Sequence, residues 1–330
     1  MENNKPQLDT QAVADWLQDH LGSSVHDLTP LAGGFWSTAF AYTLADDLNN
    51  DGYVLRFNAN AEGFEIDRAA HAFAAAGLPV PEVLEIGQAM GCCYAISRRH
   101  PGRFMELVEP DAAPALSGAI GDLLQKMRRV PERSLVQWYA PVSGAPVSGA
   151  PATDLSWHQY LLRAIKPSQE RPQNDFDSAL RARPALHQLH ETACQRIQEL
   201  LPCCPERRDL VHGDLLHQNV LVSADADRVT AVFSWKCSAF GDFLYDVAWC
   251  THWAPWHPGI AAVDVYQLTL AADDLSATDR LHMAERHHCY ELQIAASHIG
   301  WYLWTEDEEN LALLADGLSE RLSRGPLTNH

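Results

Sequence analysis

Apolar residues alternate in short runs over the first hundred positions, and afterwards they recur mostly at helical spacing. Val13, Trp16, Leu17 and Leu21 share one face of a helix predicted over residues 10–22, with Thr10 as its N-cap. Leu28–Leu44 reads as a strand, a Gly33-Gly34 turn and a second strand, and Tyr53–Phe57 as a third. The polar stretch 46–52 between them is turn-like. A helix over Gly63–Ala76 should stop at Gly77, and Pro79 and Pro81 separate it from strands over Val83–Ile86 and Cys92–Ser97. The opening third is therefore expected to be mainly antiparallel β with one inserted helix.

The pattern changes after Arg98-Arg99-His100-Pro101-Gly102. Residues 112–129, 156–165 and 184–202 carry helical periodicity, as does the tail from about 260. The pentad Ala-Pro-Val-Ser-Gly occurs twice in tandem within 140–151. Its Pro, Gly and Ser content predicts a mobile insertion with no catalytic role. Residues 209–234 are again β-rich.

Composition narrows the function. The 330 residues are 47% hydrophobic and 20% charged, which is globular and not disordered. The length suits two domains or one two-lobed domain. The formal charge of −19 argues against nucleic acid and against anionic membrane as partners, and suits a cationic ligand. Sixteen His residues would offset most of that charge once protonated, below about pH 6.5. Met1–Asp9 is polar without a basic-then-apolar order, so no secretory leader is expected, and no run of about 18 apolar residues predicts a membrane span. Eight Cys, as two adjacent pairs and four singles, predict free thiols in a reducing cytoplasm.

The chemistry concentrates in Leu210-Val-His-Gly-Asp-Leu-Leu-His-Gln-Asn-Val-Leu-Val222. An apolar strand leads into His212-Gly213-Asp214, Asn219 follows five residues later, and a second apolar strand follows that. Phosphoryl transfer is mostly positioning and charge neutralisation. An Asp opening such a loop can take the proton of a substrate hydroxyl, and an amide five residues on can hold Mg²⁺. His-Gly-Asp alone would be an ordinary turn. The spaced Asn, the flanking strands and Gly241-Asp242-x-x-x-Asp246 behind make it a catalytic loop. No G-x-S-x-G, H-E-x-x-H or G-x-x-x-x-G-K-[S/T] is present.

With these residues the chain resembles the aminoglycoside phosphotransferases, kin of choline kinases and distant relatives of protein kinases, most closely the hygromycin B phosphotransferase branch. The resemblance rests on the H-G-D-x-x-x-x-N signature, and on Gly52–Asn58, Ala61–Phe64, Asp67-Arg68, Leu78–Gly87, Ile96–Arg99, Leu210–His212 and Gly241-Asp242. It implies an α+β, protein-kinase-like, two-lobed fold. The N-lobe, about 1–98, would be a mainly antiparallel sheet with one helix, and the C-lobe, 99–330, mostly helical, with ATP and Mg²⁺ in the cleft between them.

The resemblance also assigns roles. Asp214 would be the catalytic base and His212 mainly structural. Asn219 would hold Mg²⁺. Arg56 stands where most relatives carry a phosphate-pairing Lys, with Asp67, or less so Glu65, as its ion-pair partner. Gly33, Gly34, Ser37 and Thr38 would cover the phosphates. Ser97–His100, including Arg99, would be the hinge that holds adenine. Asp242 and Trp249 are candidate substrate contacts.

One departure matters. The family carries a metal-binding Asp on the strand after the catalytic loop, and this chain has Phe233-Ser234-Trp235 there. A neutral hydroxyl is a poor substitute for a hard anionic ligand, and Lys236 adds positive charge nearby. Three functions stay open: a phosphotransferase acting on an aminoglycoside such as hygromycin B, a nucleotide- or ligand-binding pseudoenzyme, or a kinase for a metabolite alcohol. Trp249, Trp253, Trp256, His252 and His257 either line a substrate cleft or pack a helical core. Glu306–Glu309 either binds ammonium groups or begins a solvated helix. His287-His288-Cys289 is a metal motif only superficially, because neighbours on a helix diverge.

Overall fold

A computed structural model describes residues 5–45, 52–131, 156–165 and 176–327. The tandem pentads at 140–151 and most of the expected turn at 46–52 lie outside them. The chain divides into two compact units, residues 1–151 with 214–238 and residues 152–213 with 239–330.

The first unit is built on a five-stranded antiparallel sheet. Its strands are β1 (Val25–Leu31), β2 (Thr38–Leu44), β3 (Tyr53–Asn58), β4 (Val83–Ala89) and β5 (Cys92–Arg98), in the order β1-β2-β3-β5-β4. In β3, Tyr53, Leu55 and Phe57 are buried and alternate with partly exposed Val54, Arg56 and Asn58. That period of two puts Arg56 on the face opposite the apolar cluster of Leu55, Phe57, Phe40 and Tyr94. Helix α1 (Thr10–Leu21) covers the apolar face with Val13 and Leu17, both fully buried. Its N-cap is Asp9, not Thr10: the Asp9 carboxylate accepts the Ala12 N–H at 2.9 Å. Helix α2 (Glu62–Ala70) tightens into a 3₁₀ turn over His71–Ala76 before the left-handed Gly77, so only the first half of the predicted helix is α.

A smaller antiparallel sheet, β6 (Arg103–Phe104), β8 (Val220–Val222) and β9 (Val229–Val232), belongs to the same unit, in the order β6-β8-β9. His100 Nδ1 lies 2.8 Å from the Thr230 carbonyl, and Val232 N–H donates to Pro79 O at 2.8 Å. β9 is shorter than the Val229–Trp235 strand expected. Ser234 takes a left-handed φ of 67°, which ends the extended backbone and starts a 3₁₀ turn over Trp235–Cys237.

The second unit is mainly helical. A two-stranded ladder pairs β7 (Asp209–Val211) with β10 (Ala239–Gly241). Gly241 cannot carry a side chain here, because a Cβ would overlap the Trp157 indole. The helix Met283–Thr305 is buried nearly all round and packs against the helices Leu244–Trp253, Pro184–Leu200 and Glu308–Arg324. All eight Cys are free thiols. No helix among the described residues is long and apolar enough to cross a membrane.

Buried charge in this unit is paired. Glu291 meets Arg324 at 3.0 Å, Arg321 at 3.5 Å and His287 at 3.7 Å. Burial alone would raise its carboxyl, but His287, Arg321 and Arg324 bring it below the ordinary glutamate range. His288 has neither ring nitrogen hydrogen-bonded among the described residues, and burial lowers it to about 4. Both shifts act in one direction. A depressed His favours the neutral form in the fold, so stability is lost as pH falls from the unfolded value near 6.5 towards 4. A depressed Glu likewise loses its contribution as pH falls through its folded value. Thermal midpoints measured across this window should therefore drop on acidification, and His288→Phe should flatten the curve between about pH 6.5 and 4. An unchanged slope would remove His288 from the account.

Candidate active site

The candidate catalytic segment begins at a braced turn. Asp246, in the first turn of the helix Leu244–Trp253, accepts the His212 and Gly213 N–H groups on its two carboxylate oxygens, each at 2.8 Å. Gly213 is left-handed, and so are His217 and Gln218 at φ 59° and 67°. Left-handed non-glycine residues are uncommon and mark backbone held by its surroundings. This folding brings Asp214, His217 and Asn219 together. Asn219 Nδ2 donates to Asp214 Oδ2 at 2.7 Å and to the Asp214 carbonyl at 2.9 Å. His217 Nδ1 lies 2.7 Å from Asp214 Oδ1. Asp214 keeps partial solvent exposure, which the base role expected of it requires. With its amide nitrogen turned to Asp214, Asn219 has its oxygen left for another ligand.

The Arg56–Asp67 pair forms, with 2.8 Å between Nη1 and Oδ2, and the Arg56 guanidinium lies 5.0 Å from the Phe64 ring centre. Glu65, the lesser candidate, pairs with Arg68 at 3.0 Å. Asp67 does more than the sequence suggests: its Oδ1 accepts the Trp235 N–H at 2.9 Å, one residue after Ser234. Phe233 N–H donates to Asn219 O at 3.0 Å, so Ser234 lies beside the catalytic loop. Lys236 pairs with Glu62 at 2.8 Å, so its charge is locally compensated.

The glycine loop presents Gly33 and Gly34 at φ 101° and 67°. Ser37 Oγ accepts from Asn58 Nδ2 at 3.0 Å, and the Thr38 hydroxyl donates to Pro6 O, so the Thr38 proton is spent inside the chain. At the expected hinge, Ser97 is buried and paired in β5 between Val54 and Val83. The Arg98 and Arg99 N–H groups donate to Glu82 and Gly52 carbonyls, each at 3.0 Å, while the Arg99 side chain is exposed.

Two candidates are corrected. Asp242 is fully buried; Arg286 holds both of its oxygens at 2.6 and 2.8 Å, and the Tyr290 hydroxyl donates to Oδ2 at 2.7 Å. A carboxylate so engaged is not offered to a substrate. Trp249 is buried in an aromatic cluster with Tyr245, Trp253 and His298, the packing alternative of the two open to it. Asp307 caps the helix that starts at Glu308, which accounts for the acidic run there as a helix start.

Beside the Asp67–Trp235 bond, three further contacts have no sequence signature: His217 on Asp214, Gln218 on Gly34, and Glu106 on Gln218. The Glu106 carboxylate accepts the Gln218 N–H, and its Oε2 is buried with no hydrogen-bond partner among the described residues. Burial pushes the Glu106 carboxyl above its ordinary range despite that bond. Nothing local in the sequence marks Glu106, 112 positions away from its partner.

Magnesium fits this chain poorly. Of the three residues assigned to it or near it, Asp214 has both oxygens hydrogen-bonded, Asn219 offers an amide oxygen and Ser234 a hydroxyl. Among the described residues no group of three or more His, Cys, Asp or Glu is placed to hold a metal ion. Such a donor set has too little free anionic oxygen to hold Mg²⁺ by itself.

A five-stranded antiparallel sheet with one inserted helix, a braced His-Gly-Asp turn with Asn five residues on, and a mainly helical second unit define a kinase-like small-molecule phosphotransferase. Residues 27–282 match the phosphotransferase enzyme family APH, and the chain belongs to that family. It is 33% identical to a hygromycin-B 4-O-kinase of Escherichia coli, over 76% of this chain and 69% of that one. A crystal structure of aminoglycoside phosphotransferase APH(4)-Ia aligns at a TM-score of 0.73 and 25% identity, over 96% of this chain and 99% of that one. A thermostable mutant of the same enzyme, in a ternary complex with ADP and hygromycin B, aligns at 0.74 and 25% identity, over 96% and 100% of the two chains. A macrolide 2'-phosphotransferase type I shares the fold at 0.58 and 20% identity, over 95% and 99%.

Proposed function

We propose that the chain transfers the γ-phosphoryl group of ATP to a hydroxyl of a small polycationic aminoglycoside, with hygromycin B the first candidate. The observation that carries this is the Asp214 carboxylate, oriented by Asn219 and His217 and still open to solvent. In the reaction Asp214 takes the proton of the acceptor hydroxyl as its oxygen bonds to the γ-phosphorus. The bond to the bridging oxygen breaks, and ADP leaves with the electron pair. Arg56, held by Asp67, grips phosphate oxygens with its planar fork. The Gly33–Gly34 backbone supplies N–H donors to the same phosphates. The likeness to a hygromycin-B 4-O-kinase supports the acceptor class, and the formal charge of −19 suits a cationic antibiotic.

Turnover of ATP with and without hygromycin B, with mass analysis of the antibiotic, tests the proposal. Antibiotic binding should weaken as salt rises and as pH falls from about 7.5 to 5.5, when His residues charge. A preferred acceptor that is neutral or anionic would defeat the charge argument. Ser234 favours a second reading, in which the site binds nucleotide but transfers poorly. ATP binding with no acceptor ever phosphorylated would support that reading. Phosphorylation of a metabolite alcohol in place of the antibiotic would redirect the acceptor assignment.

A further inference from the structure

The glycine loop and the catalytic loop touch through a residue to which neither motif assigns a part. Gln218 lies between His217 and Asn219, both of which contact Asp214. Its Oε1 accepts the Gly34 N–H at 3.0 Å. That approach depends on Gly33, because a Cβ there would overlap the same oxygen. Gln218 and His217 form two successive left-handed positions, a conformation that persists only when its surroundings impose it. The buried Glu106 carboxylate supplies part of that constraint by accepting the Gln218 N–H. From the N-terminal segment, Lys5 Nζ donates to the Gly33 and Gly34 carbonyls at 3.3 and 3.4 Å. The loop is thus held through its carbonyls by Lys5 and through an N–H by Gln218.

The Gly34 N–H belongs to the backbone that a glycine loop offers to phosphate. A single N–H cannot serve an amide oxygen and a phosphate oxygen at full strength together. We propose that Gln218 is a positioning residue that fills the phosphate cradle of the nucleotide-free protein. Its amide oxygen stands in for a phosphate oxygen on Gly34, holds the glycine loop to the catalytic loop, and is displaced when nucleotide binds. This rests on the nucleotide site of the proposed function. A contact made in the free state and broken in the bound state lowers apparent affinity by its own net strength. Removing it should therefore tighten nucleotide binding.

Two substitutions test this in the full chain. Gln218→Asn keeps an amide and suits a left-handed backbone, but is one methylene too short to reach Gly34. Gln218→Glu keeps the reach, accepts the N–H more strongly and repels phosphate. The readouts are hydrogen exchange of the Gly34 amide, ATP affinity by calorimetry, and the thermal midpoint as a check on folding. Without ATP, Gly34 should exchange roughly 2- to 10-fold faster in Gln218→Asn than in the parent, the range of one net hydrogen bond. With ATP saturating, the two should match. Gln218→Asn should bind ATP about 2- to 10-fold more tightly, and Gln218→Glu more weakly than the parent. Equal Gly34 exchange in the two free proteins would overturn the proposal. So would weaker ATP binding by Gln218→Asn, because Gln218 would then be a nucleotide contact. Faster Gly34 exchange with no ATP binding by any form would instead defeat the nucleotide site itself, and the displacement with it.

Discussion

Asp214→Asn should lower phosphoryl transfer by about 10²- to 10⁴-fold while leaving the fold intact. The substitution removes the proposed proton acceptor but keeps the size of the side chain. The local network limits the structural damage. Asn219 also donates to the Asp214 backbone carbonyl, and Asp246 braces the preceding turn through backbone N–H groups, so neither contact depends on the Asp214 carboxylate. Circular dichroism and the thermal midpoint should stay near those of the parent, and ATP affinity should change less than turnover. Turnover close to the parent's would remove Asp214 as the base and undo the proposed mechanism.

Ser234→Asp should raise Mg²⁺-dependent turnover by roughly 10²-fold or more, the scale of one well-placed electrostatic stabiliser. The backbone favours the change. Ser234 sits at a left-handed φ of 67°, a region in which Asp is enriched among non-glycine residues. Its neighbours are fixed independently of its side chain: Phe233 donates to Asn219 O, and Trp235 donates to Asp67. A carboxylate would add the hard anionic donor that the site lacks. Lys236 should not cancel it, being paired with Glu62. Asp242 cannot serve in its place, because Arg286 and Tyr290 hold it in a buried network. Calorimetry of ATP with and without Mg²⁺ provides a readout separate from rate. The parent should show a small Mg²⁺ effect and Ser234→Asp a large one. A parent that binds Mg·ATP tightly and turns over at about 1–100 s⁻¹ would show that another carboxylate holds the metal.

Most of the elements, and a candidate reactive loop, were legible along the sequence. Alternation in Tyr53–Phe57 and helical spacing in Val13, Trp16, Leu17 and Leu21 are local signals, set by backbone periods of two and 3.6. Asp214 and Asn219 are five residues apart, so their meeting follows from one turn of chain. The Ser234 departure was legible only through the family resemblance, which implies an Asp at that offset from the His-Gly-Asp loop.

Tertiary structure decided what distant residues do to that loop. The role of Asp67 in fixing Trp235 spans 168 positions, the Glu106–Gln218 bond 112, and the Gln218–Gly34 contact 184. None of these has a periodic or motif signature. It also decided against Asp242 and Trp249 as substrate contacts. Whether a carboxylate faces a ligand or an internal guanidinium, or an indole a cleft or a core, depends on what packs beside it from elsewhere in the chain. Residue type and local spacing do not encode that, and only the folded arrangement brings Arg286 to Asp242 and His298 to Trp249.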